Sequence, residues 1–221
     1  LARTIDAWCP VLPSYVERHE ARDAARERGK HVWWYTCCWP AHPYPNFFIE
    51  YPAIESRLLM GVMPWKYQPD GFLYYGLNMG SGGHTKGTRG DMPLCDWDPR
   101  SFQDINGDGC LFYPGMDGPI STIRLENFTD GLEDYECFWV LRDLTERLAK
   151  SDLGRSEEAR AALAEARRQL MVPESIVKSL TEYTRNPRDL QRVRAQVADA
   201  IENILALGIE QTQECYSSGS E

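Results

Sequence analysis

The sequence predicts an α/β fold assembled from parallel βα units. Two continuous apolar runs, residues 31–38 and 71–78, are too hydrophobic for strands that face water on one side. Between them Pro52 opens a segment of residues 53–67 whose apolar side chains recur at helical spacing. A strand, a helix and a strand at this spacing form a βαβ unit, whose two strands lie parallel.

The residues before this unit add one more strand and helix. Residues 4–8 predict a short strand, and Ser14 then caps a polar helix at residues 15–28, which Gly29 ends. The first 78 residues therefore hold three predicted strands separated by two helices.

The second half of the chain is predicted to be mainly helical. A long glycine-rich connection follows Asn78 and contains a short apolar run at residues 109–115, which predicts a further strand. Helical periodicity and helix start signals then predict four helices, at residues 120–150, 157–170, 173–183 and 187–204.

Three parallel strands do not complete a sheet. Such a sheet leaves a bare edge strand and an uncovered apolar face, which natural proteins avoid. We therefore expect residues 1–150 to be the C-terminal portion, about three βα units, of a (β/α)8 TIM barrel. The other strands would lie upstream in a parent chain or in an associated fragment. Residues 151–210 are expected to be an α-helical extension and residues 211–221 a flexible tail.

Composition excludes some partners. The 221 residues carry a formal net charge of -9, and no basic stripe is present to neutralise a phosphate backbone, so nucleic acid is not an expected partner. No run of about 18 apolar residues predicts a membrane span. The chain starts without Met and without a signal pattern, so we expect a processed product or a segment of a longer protein.

The seven cysteines and one sequon bear on localisation. Cys95 and Cys110 flank a loop rich in Gly and Asp, where a secreted protein would place a disulfide. Cys37 and Cys38 are adjacent on a predicted strand and should point to opposite faces. No C-x-x-C pair occurs, so neither a metal site nor a cofactor is predicted. Asn127 begins a glycosylation sequon, although such triplets also arise by chance. We expect a secreted or extracellular glycoprotein.

Two acidic motifs have competing interpretations. Residues 104–109 match the first half of a calcium loop, but position 12 of that loop is Gly115, so a plain Asx/Gly turn is favoured. Glu133, Asp134 and Glu136 cluster at the start of a helix, which favours pairing with Arg124 or Arg142 over catalysis. His42 and His84, both in loops, are expected to be solvated.

Four stretches together resemble the C-terminal part of the catalytic domain of glycoside hydrolase family 123. They are VWWY at residues 32–35, the helix and strand at 54–78, NGDGCLFYPG at 106–115, and GPISTIRLENFTDGLEDYE at 118–136. The resemblance covers roughly residues 5–148 and does not include the helices that follow.

This resemblance implies a (β/α)8 barrel that hydrolyses β-linked N-acetylgalactosamine with retention. In that mechanism the 2-acetamido oxygen of the substrate is the nucleophile, and an adjacent Asp-Glu pair orients it and protonates the leaving oxygen. No Asp-Glu dipeptide occurs in the 221 residues. We therefore assign no catalytic residue here and expect the pair to lie outside this segment.

Residues at the carboxyl ends of barrel strands face the active site. Aromatic and polar side chains there suit a pyranose, whose apolar face stacks on a ring while its hydroxyls seek Asp or Asn. The predicted substrate-binding residues are Asp6, Trp8, Tyr35, Tyr75 and Asn78. The alternative is that these aromatic residues fill the core. Trp33 and Trp34 should point to opposite faces, with one packed under the helices. The competing functional hypothesis is a non-catalytic carbohydrate-binding or structural component of an extracellular assembly.

Overall fold

The computed structural model describes residues 4–78, 105–113, 115 and 117–209. Its strands are short: β1 (Ala7–Trp8), β2 (His31–Val32), β3 (Trp34–Tyr35), β4 (Phe72–Leu73), β5 (Phe112–Tyr113) and β6 (Ile120–Ser121). Its α-helices are α1 (Leu12–Glu17), α2 (His19–Glu27), α3 (Ile54–Met60), α4 (Val62–Tyr67), α5 (Ile123–Lys150), α6 (Glu157–Gln169) and α7 (Pro187–Leu205), and a 3-10 helix spans Asp152–Arg155. The predicted α/β class is confirmed. Within the described residues, no helix is both long and apolar enough to cross a membrane.

The segment that contains β2 and β3 lies between two parallel neighbours. β1 pairs with β2 and β4 pairs with β3, both in parallel. The N–H groups of His31 and Trp33 donate to the β1 side, and the Trp34 N–H donates to the Gly71 carbonyl at 3.0 Å on the other side. Successive N–H groups of a strand point to alternate sides. The predicted βαβ unit is confirmed, with strand neighbours in chain order.

The two faces of these strands differ in exposure. Val32 and Trp34 are buried, and the Trp34 ring packs against Tyr15 and Tyr67 of the helices, with centroids 5.4 and 6.2 Å away. On the opposite face Trp33 is 37% exposed and Leu73 is 40% exposed. The predicted opposite orientation of the two tryptophans is confirmed. One face is therefore covered by helices, and the other is more exposed.

Two compact units are present: Leu1–Tyr135 with Val172–Pro187, and Glu136–Met171 with Arg188–Glu221. The first contains the strands. The second consists of helical segments, and its buried side chains follow the helical period: Phe138, Leu141, Leu144, Leu148, Leu163, Leu190, Val197 and Ile204. Helix α5 runs through both units.

The helix predicted at residues 173–183 is wrong. This segment forms turns closed by an antiparallel bridge between Val177 and Tyr183. The hydroxyl of Ser179 accepts the backbone N–H groups of Thr181 and Glu182 at 3.1 and 3.0 Å. A serine that captures nearby N–H groups in this way competes with helical hydrogen bonding.

Candidate functional site

A buried carboxylate organises the carboxyl end of β4. Asp108 is fully buried, and its two oxygens accept the hydroxyls of Tyr74 at 3.1 Å and Tyr75 at 2.9 Å. The Gly109 N–H in turn donates to the Tyr74 hydroxyl. These bonds fasten the loop at residues 105–113 to the end of the strand. We call Tyr35, Tyr74, Tyr75 and Asp108 the Asp108 cluster.

Electrostatics inside the cluster follow from burial. Burial raises the pKa of Asp108, while the hydrogen bonds from Tyr75, Tyr74 and the Gly109 N–H act in the opposite direction. The pKa of Tyr74 is raised well above its ordinary value, first by burial and then by the charge of Asp108. Burial also raises the pKa of Tyr35, with further contributions from Cys37 and Asp108. Tyr35 and Tyr74 therefore stay protonated at neutral pH.

Three of the five predicted substrate-binding residues lie at this end of the sheet. Tyr35 ends β3, Tyr75 is 38% exposed, and Asn78 bridges Cys110 in the loop that carries Asp108. Their rings and amide are thus placed where the carboxyl ends of parallel strands meet.

Asp6 and Trp8 lie elsewhere. Asp6 precedes β1, and its carboxylate pairs with Lys30 at 2.5 Å. That places it at the amino end of the strands, so the premise that put Asp6 at a carboxyl end was wrong. Trp8 lines a cavity on the helix-covered side of β1 together with Val32 and Tyr15. Trp8 does end β1, at the carboxyl end as expected, but its side chain lies on the side that the helices cover.

A second buried carboxylate was missed from the sequence. Glu55 of α3 is fully buried and lies 3.0 Å from Nε2 of His42 and 3.4 Å from Nε of Arg185. The His42 ring stacks on Tyr51 with centroids 3.4 Å apart. His42 is exposed, as expected for a histidine in a loop, but it also contacts this buried carboxylate. A lone His in a loop and a Glu in a first helical turn carry no sequence signal that they meet.

One comparison with known proteins decides the family. Residues 3–141 match the family model described as "Glycoside hydrolase 123, catalytic domain". This match covers more than half of the chain. The chain belongs to the glycoside hydrolase 123 catalytic-domain family. No curated protein matches it.

In this glycoside hydrolase 123 chain, one acidic side chain of α5 has a structural role. Asp134 of α5 is buried and accepts two hydrogen bonds from the guanidinium of Arg57, at 2.6 and 2.9 Å. Arg124 instead donates to the carbonyls of Phe47, Gly107 and Cys110. Asp134 thus forms a buried ion pair between α5 and α3.

The remaining sequence motifs are placed in part. Asp104 and Cys95 lie outside the described residues. The favoured Asx/Gly turn and the Cys95–Cys110 disulfide therefore stay predictions. Among the cysteines of the described segments, no two form a disulfide. Asn127 lies in α5 of the glycoside hydrolase 123 chain, and its side-chain amide donates to the Ile123 carbonyl at 2.8 Å.

Proposed function

We propose that this chain is the C-terminal part of a retaining glycoside hydrolase that cleaves β-linked N-acetylhexosaminides. The observation that carries the proposal is the Asp108 cluster on a family 123 scaffold: aromatic side chains meet a buried carboxylate at the carboxyl ends of parallel strands. The 2-acetamido oxygen of the substrate would be the nucleophile, and an Asp-Glu pair outside this segment would supply the acid.

The proposed substrate-facing residues are Tyr35, Tyr75 and Asn78. Tyr75 donates a hydrogen bond to Asp108, and a phenol oxygen that donates in this way also has lone pairs that accept hydrogen bonds, as from a sugar hydroxyl or amide. Its half-exposed ring offers a flat apolar surface to a pyranose. Asp108 itself is fully buried and acts as a positioning residue that holds Tyr75.

Completion of a (β/α)8 barrel is part of this proposal. Among the described residues only β2 pairs with β1, which leaves the outer edge of β1 open. A cavity of about 370 Å³ lies between β1 and the first two helices. Its lining on the helical side includes Ser14, Arg18, Ala21, Arg22, Ala25 and Arg28. An open strand edge fits a preceding βα unit, whose strand would pair with β1.

The test uses the chain joined to its upstream barrel strands and an aryl β-N-acetylgalactosaminide. We expect Tyr75→Phe to lower kcat/KM about tenfold or more, because a loss of roughly 1.4 kcal/mol in the transition state is a factor of ten. The control is Trp139→Ala, at a half-exposed aromatic in the helical part of the chain, and it should leave kcat/KM unchanged. No turnover by a parent that has its Asp-Glu pair would overturn the enzyme assignment.

A non-catalytic carbohydrate-binding component is the second candidate. The observation that favours it is the absence of an Asp-Glu dipeptide from all 221 residues. Isothermal titration with N-acetylgalactosamine separates the two functions. Binding without turnover in the joined protein, lost in Tyr75→Phe, would support the binding component.

A further inference from the structure

Two adjacent cysteines follow β3 at the edge of the Asp108 cluster. The sulfurs of Cys37 and Cys38 are 3.9 Å apart, and both side chains are half-buried, so solvent reaches them. Neighbouring side chains of a strand would point to opposite faces. Here β3 has already ended at Tyr35, and the Cys37 N–H turns back to the Trp39 carbonyl at 3.2 Å. The turn brings the two thiols to one side.

The thiol pair adjoins the proposed sugar site. Both the Cys37 and Cys38 thiols lie close enough to Tyr35 to raise its pKa, together with burial and the Asp108 charge. Burial, with Cys37 beside it, raises the pKa of Cys38 to about 11. A change in the chemical state of this pair therefore changes the surroundings of Tyr35.

We propose that Cys37 and Cys38 are a vicinal dithiol that oxidises to an intramolecular disulfide and thereby alters the environment of Tyr35. The disulfide itself does not depend on the proposed function, whereas its effect on sugar binding rests on it. The oxidant is a small disulfide such as glutathione disulfide.

The reaction balances as two thiol–disulfide exchanges. The Cys37 thiolate attacks glutathione disulfide and releases one glutathione thiolate; Cys38, after losing its proton to water, attacks the Cys37 sulfur and releases the second. Two cysteines lose two electrons in total, and one glutathione disulfide becomes two glutathiones that take up the two protons. Because the pKa of Cys38 is raised, the second step should be faster at pH 9 than at pH 7.

A disulfide between Cys37 and Cys38 should be easily reduced. Adjacent α-carbons are about 3.8 Å apart across a trans peptide, below the usual range of about 4.4–6.8 Å for a disulfide. Strained disulfides are the labile and regulatory ones. We therefore expect dithiothreitol to restore both thiols completely.

The experiment treats the full 221-residue protein with glutathione disulfide and then alkylates free thiols. Before alkylation we expect closure of this pair to lower the mass of the peptide that contains residues 37–38 by about 2 Da, because two thiols lose two hydrogens. After alkylation, peptide mapping should find Cys37 joined to Cys38 and neither of them alkylated. The Cys9→Ser variant should behave in the same way. The Cys38→Ser variant should instead retain a glutathione adduct on Cys37, because the second exchange is then impossible. Phenylarsine oxide, which bridges two close thiols and releases water, should block both residues in the reduced protein.

A spectroscopic measurement tests the coupling to Tyr35. With ring-labelled tyrosine, the Tyr35 resonance, assigned by its loss in Tyr35→Phe, should shift between the reduced and the oxidised protein. Both cysteines remaining alkylatable, or joined to other cysteines, would overturn the proposal; a disulfide with an unmoved Tyr35 resonance would overturn the coupling. Neither measurement uses a sugar, so a failure here is distinct from a failure of the proposed function.

Discussion

Arg57 and Asp134 form a buried ion pair in which each charge depends on the other for compensation. Both side chains are removed from water and joined by two hydrogen bonds. Removing one charge leaves the other buried and uncompensated, which costs far more than the net worth of the pair. The nearby Asp130 is 3.5 Å from Arg57 but about half exposed, so it compensates poorly.

We predict that Asp134→Ala lowers the free energy of unfolding by about 3–5 kcal/mol. The double variant Arg57→Met with Asp134→Leu should recover most of this loss, because it removes both charges and keeps the volume. Urea unfolding of both variants measures the difference. Equal destabilisation by the single and the double variant would show that packing, and not an unpaired charge, causes the effect.

Glu55 gives the protein a predictable dependence on pH. Burial raises its pKa, opposed by His42, Tyr183 and Arg185, so the folded pKa lies above the unfolded value of about 4.3. Its native state holds a proton more tightly than its unfolded state. The stability contributed by this group is therefore full below the unfolded pKa and is lost as pH rises through the folded pKa.

The predicted measurement compares wild type with Glu55→Gln in urea between pH 4 and 7. The free energy of unfolding of wild type, minus that of the variant, should fall as pH rises. Glu165→Gln provides a control of opposite sign, because hydrogen bonds from Gln169 and Arg168 lower the pKa of Glu165. For that pair the difference should rise with pH, if only slightly. If the difference in free energy of unfolding between wild type and Glu55→Gln did not change with pH, burial would not raise the pKa of Glu55.

At the scale of elements, the packing of α3 and α5 depends on two glycines. A Cβ at Gly131 would lie 2.6 Å from the Arg57 carbonyl oxygen and 2.9 Å from the Met60 Cβ, and one at Gly61 would lie 2.8 Å from the Gly131 carbonyl oxygen. Side chains at these positions would force the helices apart. Gly131, which lies in the stretch at residues 118–136, therefore allows α3 and α5 to approach each other closely.

Gly131→Ala separates helix propensity from packing. Alanine should favour α5 by up to about 1 kcal/mol on propensity alone. We nevertheless predict a net loss of about 1–3 kcal/mol, because the added methyl overlaps a backbone carbonyl. Thermal or urea unfolding measures it, with Thr129→Ala, an exposed position two residues earlier, as the control. A gain in stability would show that the helices separate at little cost.

Sequence patterns predicted the elements whose signal is local. The apolar stripes placed α5, α6 and α7 within a few residues, and the continuous apolar runs located the strands, although each is shorter than expected. The pattern failed at residues 173–183 because a serine side chain satisfies the backbone locally. The pattern also missed two contacts, the one between His42 and Glu55 and the hydrogen bonds from the tyrosines to Asp108. The first joins residues 13 positions apart and the second joins residues 33–34 positions apart. Contacts of this kind produce no periodic pattern in the sequence.

At the scale of the whole molecule, the more exposed face of the described strands carries the barrel proposal. In the isolated chain Leu73 is 40% exposed beside Trp33 and Tyr35 on that face. Additional strands would enclose it in a barrel interior, where layers of side chains pack together. On this proposal the same residue is a surface position in the isolated chain and would be a core position in the completed barrel.

Leu73→Asn tests this difference directly. In the isolated 221-residue chain we predict a loss of less than about 1 kcal/mol, as for most surface substitutions. In the chain joined to its upstream strands the loss should reach about 2–5 kcal/mol, because a buried amide then replaces an apolar side chain. Leu153→Asn in the 3-10 helix, where Leu153 is 47% exposed, is the control and should have a small effect in both proteins. Urea unfolding of the four variants provides the comparison, and an equally small loss at Leu73 in both backgrounds would show that no further strands bury this face.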